Sequence, residues 1–211
     1  MTRTRIKICG LTREADLDEA VEAGADAVGF VLYERSPRHV PLARAVELAR
    51  RLPPFVTPVL LFVNATPQAL RRAVEELPQA LLQFHGDETP EQCAAADRPY
   101  LRAAHMAPGL DLLDFAQRFQ GAQALLLDAP AEGYGGGGKV FDWSRIPPSV
   151  PLPVVLSGGL NPANVTDGVL VVRPWAVDVS SGVEISKGVK SGPLMRRFCK
   201  AVREADDRIN A

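Results

Sequence analysis

Short apolar runs rich in β-formers alternate with amphipathic helical stretches along the chain, and this alternation restricts the fold more than any other feature. The runs are apolar at consecutive positions, as in Val59-Leu60-Leu61-Phe62-Val63, which is typical of strands buried on both faces of a parallel sheet. The predicted strands are Ile6–Cys9, Ala27–Leu32, Pro58–Val63, Leu81–His85, Tyr100–Ala104, Leu125–Asp128, Val154–Ser157 and Ala176–Ser180.

Helical patterns fill the intervals, and prolines stand at positions that suit a first helical turn, at Pro41, Pro67, Pro90 and Pro162. The predicted helices are Arg13–Ala23, Leu42–Leu52, Pro67–Leu77, Pro90–Ala96, Leu110–Phe119, Pro162–Leu170 and Gly192–Ala205. Eight strands in 211 residues leave about 26 residues per unit, which is compact but sufficient for a closed barrel. We therefore predict an α/β protein, a (β/α)8 TIM barrel formed as a single domain by residues 1–211. An open doubly wound sheet is the alternative, because it shows the same alternation.

Composition excludes several classes of function. The formal net charge of −1 gives no electrostatic reason to expect nucleic acid or an anionic membrane surface as a partner. No apolar run is long enough for a membrane-spanning helix, and the first residues do not resemble a signal peptide. The three cysteines, Cys9, Cys93 and Cys199, are too few and too scattered for a disulfide framework or a zinc site, so we expect a cytoplasmic protein.

Polar side chains stand at the C-terminal ends of several predicted strands, where barrel enzymes place their catalytic groups. Cys9 ends the first strand, His85 the fourth and Asp128 the sixth. Arg38 follows the second strand, and Asp178 lies in the eighth. Several reactive side-chain types on one rim predict an active site, although a histidine such as His85 is more often structural.

Glycine-containing turns follow the last two strands: Gly158 and Gly159 after the seventh, and Ser180, Ser181 and Gly182 after the eighth. Glycine has no Cβ, so the backbone N–H groups of such turns can approach an anion closely. Loops after strands 7 and 8 are the common phosphate site of this fold. We therefore predict a phosphate site at these five residues, with two ordinary tight turns as the alternative.

The glycine run Gly135–Gly138, followed by Lys139, satisfies most of the pattern of a nucleotide-binding P-loop. Val140 stands where a P-loop has the Ser or Thr that ligates magnesium, and no clear helix pattern follows. A nucleotide site is therefore rejected. The segment is interpreted as a lid that closes over bound substrate, with a plain irregular connection as the alternative.

Six motifs occur in order between Ile6 and about Ser191. They are Lys7-Ile8-Cys9-Gly10-Leu11, Gln83-Phe84-His85-Gly86, Leu127-Asp128, Gly135-Gly136-Gly137-Gly138-Lys139-Val140-Phe141-Asp142-Trp143, Leu156-Ser157-Gly158-Gly159-Leu160 and Asp178-Val179-Ser180-Ser181-Gly182-Val183-Glu184. Together they resemble the phosphoribosylanthranilate isomerase family of tryptophan biosynthesis, and the ordered set is more specific than any single motif. Gly137 departs from the many relatives that have Thr or Ser there, but it concerns the lid rather than the acid/base pair.

The resemblance implies an Amadori rearrangement that converts N-(5-phosphoribosyl)anthranilate to 1-(2-carboxyphenylamino)-1-deoxyribulose 5-phosphate without a cofactor or metal. It implies that Cys9 is the general base and Asp128 the general acid. It also implies that Arg38 meets the anthranilate part of this small phosphoribosyl substrate, while the loops after strands 7 and 8 hold its phosphate. His85 and Asp178 are further substrate-binding candidates, Asp178 through ribose hydroxyls unless it only anchors the turn that follows.

This chemistry places requirements on both groups. A protonated Asp128 must donate to the ring oxygen, and a Cys9 thiolate must then remove the C2 proton of the resulting iminium. A free thiol has a pKa of about 8.5, so positive potential near Cys9 is expected. Asp128 needs desolvation or a neighbouring negative charge to keep its proton.

Other functions fit the same fold. A histidine-pathway aldose isomerase would end the first strand with Asp rather than Cys. A metal-dependent pentose-phosphate epimerase would need paired histidines and aspartates, and the chain has only His39, His85 and His105. A non-catalytic phospho-ligand sensor would need the phosphate loops but not Cys9 and Asp128 together. The sequence leaves the oligomeric state open, with a homodimer as one candidate.

Overall fold

Eight parallel strands close into a barrel in the computed structural model, which describes residues 3–130 and 140–211. The strands are β1 (Arg5–Cys9), β2 (Ala27–Val31), β3 (Thr57–Phe62), β4 (Leu81–Phe84), β5 (Tyr100–His105), β6 (Ala124–Asp128), β7 (Val154–Leu156) and β8 (Ala176–Val179). Each strand pairs with the next, and β8 pairs with β1 in the register Lys7–Asp178 and Ile8–Val179. The predicted barrel is confirmed, and the open sheet is excluded because an open sheet would leave its two edge strands unpaired.

Seven α-helices lie in the described ranges, and none of them is long and apolar enough to cross a membrane. They are α1 (Glu14–Ala23), α2 (Leu42–Ala49), α3 (Pro67–Glu76), α4 (Pro90–Ala94), α5 (Leu112–Arg118), α6 (Val165–Val172) and α7 (Gly192–Asn210). A single turn of 3₁₀ helix, Trp143–Arg145, lies between β6 and β7. The predicted lid, 135–138, and Lys139 lie outside the described residues.

Side-chain alternation along the strands separates two layers of the core. Ile6 and Ile8 of β1 pack with Leu17 of α1 and Phe198 of α7 in the main core between strands and helices. The opposite strand face forms the barrel interior, where apolar side chains from β3, β5, β6, β7 and β8 make a separate cluster. Cys9 therefore faces the interior, where it packs near the C-terminal ends of β2 and β3.

Several element boundaries differ from the prediction for identifiable reasons. β4, β7 and β8 end one residue early, so His85, Ser157 and Ser180 are the first residues of their loops. α5 begins at Leu112 because the Asp111 carboxylate caps it, accepting hydrogen bonds from the N–H groups of Leu113 and Asp114. α7 continues to Asn210, and an unpredicted antiparallel hairpin of β9 (Glu184–Ser186) and β10 (Val189–Lys190) precedes it.

Candidate active site at the C-terminal rim

The barrel strands bring the predicted site residues to one rim. Cys9 and Asp128 are the last residues of β1 and β6, and His85 directly follows β4. Ser157 and Asp178 belong to the ends of β7 and β8. Each of these five residues is buried, with 5–7% of its surface exposed.

Cys9 shares its strand face with Lys7, two residues earlier on β1. Lys7 Nζ donates to Asp178 Oδ1 at 2.7 Å, and Ser157 Oγ donates to Asp178 Oδ2 at 3.2 Å. Burial disfavours the Lys7 ammonium, but Asp178 and the Cys9 thiol outweigh it and raise the pKa of Lys7. A permanent cation therefore lies beside the thiol.

Burial raises the pKa of the Cys9 thiol, Lys7 opposes this, and the Asp178 carboxylate adds to it, so the net direction is upward. The expected positive potential is present, but it does not outweigh burial in the free protein. The thiol also depends on a glycine of β2, because a Cβ on Gly29 would stand 2.6 Å from Cys9 Sγ. Cys9 is thus held as a protonated thiol in a closely fitted pocket.

Asp128 contacts the loops after β4 and β7. Its Oδ2 lies 3.0 Å from His85 Nε2, and its Oδ1 accepts from the N–H of Ala129 at 2.9 Å. Gly158 packs against this group, since a Cβ there would stand 2.4 Å from Ala129 N and 3.1 Å from Asp128 Oδ1. The acid candidate is therefore adjacent to the predicted phosphate loop.

His85 and His105 lie side by side, with ring centroids 5.2 Å apart in an edge-to-face arrangement. Together with Asp128 they bring one potential metal-ligand atom each within 4.8 Å of the others. A tetrahedral zinc site with bonds of about 2.0 Å would need these atoms about 3.3 Å apart. The three residues offer suitable ligand types but not a preformed zinc geometry, and the absence of a metal stays a prediction.

Arg38 lies beside the end of β1 but is paired with a residue that the sequence did not single out. Its Nε and Nη2 donate to the two carboxylate oxygens of Glu184 at 2.7 and 2.8 Å. Lys190 Nζ, whose side chain is fully buried, donates to the same carboxylate at 2.8 Å. Gly10, at φ 78°, allows this approach because a Cβ there would stand 2.5 Å from Arg38 Cδ. Two of the five guanidinium N–H donors are therefore used by Glu184.

The two predicted phosphate loops meet each other. Gly158 and Gly159 both have positive φ, 76° and 68°, a conformation that favours glycine at both positions of the turn. Ser181 and Gly182 begin a single 3₁₀ turn, so their N–H groups have no partner within it. A Cβ on Gly182 would stand 1.9 Å from Leu160 O, so the loops can touch only with glycine there. Ser180 instead donates its hydroxyl to the Cys9 carbonyl at 3.0 Å.

Comparison with known proteins identifies the family of the chain that carries this rim. The sequence profile described as N-(5'phosphoribosyl)anthranilate (PRA) isomerase matches residues 6–201, most of the chain. This chain belongs to the phosphoribosylanthranilate isomerase family. An N-(5'-phosphoribosyl)anthranilate isomerase of Leptothrix cholodnii is 73% identical over 206 residues, covering 98% of this chain and 94% of the relative. One from Methylibium petroleiphilum is 71% identical, covering 99% and 98%.

Solved structures of phosphoribosylanthranilate isomerases have the same fold. That from Thermotoga maritima superposes with a TM-score of 0.88 at 39% identity, covering 95% of this chain and 99% of its own. That from Thermus thermophilus superposes with a TM-score of 0.86 at 35% identity with the same coverage. A further one, solved with reduced 1-(o-carboxyphenylamino)-1-deoxyribulose 5-phosphate, has a TM-score of 0.85 at 36% identity over the same shares. The predicted family and its isomerase activity in tryptophan biosynthesis are confirmed.

Sequence reasoning missed five residues of the site: Lys7, Gln83, His105, Glu184 and Lys190. Lys7 and Gln83 each stand two positions before a chosen residue, Cys9 and His85, so strand periodicity alone would have placed them on the same face. Glu184 and Lys190 are joined by the short β9–β10 hairpin, and no sequence pattern signals their contact with the distant Arg38.

Proposed function

We propose that Asp128 and Cys9 are the general acid and general base of the isomerisation. The observation that carries this is their placement: they end β6 and β1, with only β7 and β8 between them around the barrel. The loops after β7 and β8 are the proposed phosphate site, at Gly158, Gly159, Ser180, Ser181 and Gly182. A sugar anchored there by its phosphate has the acid on one side and the base on the other.

In the first step Asp128 gives a proton to the ring oxygen, and the bond between that oxygen and C1 breaks. The nitrogen lone pair forms the C1–N double bond, which leaves an iminium and a free hydroxyl. The C2 hydrogen becomes acidic because the electrons of its bond can move to the cation. Proton transfer by a positioned group contributes about 10²–10⁴-fold.

In the second step Cys9 removes the C2 hydrogen and the electrons form an enolamine. Burial keeps the Cys9 thiol protonated in the free protein, although Lys7 opposes this effect. The positive charge of the iminium adds to that of Lys7 and favours the thiolate when substrate is bound. The enolamine then takes a proton at C1 and loses the one on its C2 hydroxyl, which gives the ketone. These reaction steps use proton transfers only and need no external oxidant or reductant.

The other predicted site residues orient the substrate in this proposal. Arg38 uses the guanidinium N–H groups that Glu184 leaves for the anthranilate carboxylate, a planar anion that suits an arginine fork. Asp178, held by Lys7 and Ser157, accepts from a ribose hydroxyl, and His85 contacts the substrate beside Asp128.

The test follows turnover through the fluorescence of the anthranilate ring. Asp128→Asn keeps the size of the side chain but has no acidic proton, so kcat should fall at least 100-fold. Binding of the reduced product analogue should change less than threefold, and Asp207→Asn, an exposed change on α7, serves as the matched control. Activity of Asp128→Asn within threefold of the parent would reject the assignment.

We also propose that the chain acts as a homodimer through the N-terminal face of the barrel. Phe55 is fully exposed there, in the loop between α2 and β3, with φ 72°. A cavity of about 740 Å³ opens on the same face, lined by Arg5, Trp143 and Trp175 among others. A solved structure from Thermotoga maritima, 35% identical with a TM-score of 0.83, is of generated monomers of a dimeric phosphoribosylanthranilate isomerase. Phe55→Asp should give a monomer by sedimentation, and an unchanged dimer would contradict this interface.

Residues 1–211 form one domain in this proposal, and the protein works in the cytoplasm. Support for the second point comes from three cysteines that are all free and buried, which suits a reducing compartment. Unfolding as one transition, and activity in the soluble fraction of a cell lysate, are the corresponding measurements.

A further inference from the structure

Gln83 is a fully buried amide in the middle of the barrel mouth, on β4 two residues before His85. Its Nε2 lies 3.0 Å from His85 Nδ1, and the other nitrogen of that ring lies 3.0 Å from Asp128 Oδ2. The Oε1 atom of Gln83 is also buried, and among the described residues it has no hydrogen-bond partner. A buried polar atom without a partner is unfavourable and rare in folded proteins, so it calls for an explanation.

With Gln83 Nε2 facing the ring, hydrogen-bond chemistry assigns the protons of this arrangement. An amide nitrogen can only donate, so His85 Nδ1 accepts and His85 carries its proton on Nε2. That proton points at Asp128 Oδ2, and the N–H of Ala129 points at Asp128 Oδ1. Both oxygens of Asp128 are therefore acceptors, and the His85–Asp128 dyad holds one proton.

A general acid at Asp128 needs one proton more. When the dyad takes up that proton, it is either an imidazolium with a carboxylate or a neutral imidazole with a carboxylic acid. In both forms His85 Nδ1 carries hydrogen, because Nε2 and Asp128 Oδ2 share the other proton. A hydrogen on Nδ1 would face the two hydrogens of the Gln83 amide, unless the amide presents its oxygen.

We propose that Gln83 is a positioning residue whose amide turns by about half a rotation as the His85–Asp128 dyad gains or loses its second proton. With one proton in the dyad, Gln83 Nε2 donates to Nδ1, as in this structure. With two, Oε1 accepts from Nδ1, and the atom that now has no partner becomes the acceptor that stabilises the loaded acid. The inference deepens the proposed role of Asp128 and rests on it.

Other charges face the dyad, and none of them replaces this contact. His105 packs edge-on against His85, and its Nε2 lies 3.3 Å from the His85 carbonyl. Burial lowers the pKa of His105, with the neighbouring His85 adding to the effect, so His105 is neutral around pH 7. Arg102 on β5 is bound by the carbonyls of Phe84 and Gly86 and by Glu88. Across the mouth lie Lys7 and Cys9 on β1 and Asp178 on β8.

Two substitutions separate the proposal from a packing role. Gln83→Glu keeps the size and fixes an acceptor toward Nδ1, so it should hold the second proton more tightly and move the alkaline limb of the kcat–pH profile upward. Gln83→Met offers neither a donor nor an acceptor, so it removes the stabilisation of both forms and should leave the same limb in place. We expect about a tenfold rise in proton affinity in Gln83→Glu, or one pH unit, with KM within threefold in both variants. Gln120→Glu, which adds the same charge at an exposed position, should leave the profile in place.

A second readout does not depend on turnover. The chain has three histidines, so ¹⁵N-histidine NMR gives few signals, and His39→Asn and His105→Asn identify those of His85. His85 should carry its proton on Nε2 above the limb and gain one on Nδ1 below it, with the midpoint raised in Gln83→Glu. A midpoint or limb that stays the same in Gln83→Glu, or that moves by a full pH unit in Gln83→Met, would overturn the inference. Full activity of Asp128→Asn would instead reject the proposed acid, while the NMR midpoints would still report the coupling.

Discussion

The two halves of the buried Lys7–Asp178 pair should shift the Cys9 pKa in opposite directions. Lys7→Met removes the cation that stabilises the thiolate, whereas Asp178→Asn removes the anion that opposes it. A packing role would change both variants in the same direction. This difference in sign is what makes the pair informative.

The expected size follows from the direct contact between Lys7 and the Cys9 thiol. A unit charge about 4 Å away at an effective dielectric constant of 20 is worth about 4 kcal/mol, or about three pKa units. Solvent at the open mouth of the barrel reduces this, so Lys7→Met should lower the thiolate fraction about 10- to 1000-fold. Asp178→Asn should raise it by a smaller factor, because Asp178 has less influence on the thiol than Lys7. Each single change also leaves a buried charge without its partner, at a cost of about 3–5 kcal/mol of folding stability.

The assay is the pH dependence of Cys9 alkylation by iodoacetamide, read by mass spectrometry of the Cys9 peptide. Cys93 and Cys199 are 0% and 1% exposed and serve as internal references, because they should react only on unfolding. The double variant Lys7→Met/Asp178→Leu removes both charges and should restore most of the stability. An unchanged midpoint in Lys7→Met, or midpoints that move in the same direction in both single variants, would refute the electrostatic reasoning.

Three further substitutions test the fitted contacts of the site. Gly29→Ala should lower kcat at least tenfold while KM stays within threefold, because a Cβ would stand 2.6 Å from Cys9 Sγ. Steady-state kinetics checks this, with Gly121→Ala as the control. Gly182→Ala should weaken competitive inhibition by inorganic phosphate at least tenfold by forcing the two loops apart, and an unchanged inhibition constant would argue against a phosphate site there. Burial raises the pKa of Glu184, but Arg38 and Lys190 lower it further, to below its ordinary 4.5. The stability that this pairing contributes is therefore present above pH 4.5 and is lost as the pH falls through the lowered pKa of Glu184. Glu184→Gln should flatten the acid side of a profile of urea stability against pH. An unchanged slope would contradict the pairing.

The sequence predicted a parallel sheet because runs such as Val59–Val63 are apolar at consecutive positions, and the eight repeats with polar groups at the strand ends favoured a barrel over an open sheet. The predicted ends of β4 and β7 were one residue too late. His85 and Ser157 remain buried although the hydrogen-bonded pairing of the strands has already ended. The length of α7 was underestimated because its last turns are polar. Asp206 holds the helix to the residue before β1 by accepting from the Thr4 N–H and hydroxyl. Such a long-range bond leaves no local pattern.

The candidate site divides in the same way. Cys9, Asp128 and the two glycine turns were found because each stands where a strand ends, and the fold gives that position a meaning. The direction of the Cys9 pKa shift was not predictable, because it depends on the balance between burial, Lys7 on β1 and Asp178 on β8. Arg38 was predicted because an arginine suits a carboxylate ligand. Its partner Glu184 was not predicted, because the β9–β10 hairpin brings that residue to Arg38 from a distant part of the chain.

The rate of product formation in a single turnover, which requires loss of the C2 hydrogen, tests the central claim most directly. Cys9→Ala, mixed in excess with phosphoribosylanthranilate, should form product at least 100-fold more slowly than the parent, while binding of the reduced product analogue changes less than threefold. Cys93→Ala, a matched change at a buried cysteine away from the rim, should react at the parental rate. Product formation by Cys9→Ala at a rate within threefold of the parent would contradict Cys9 as the base.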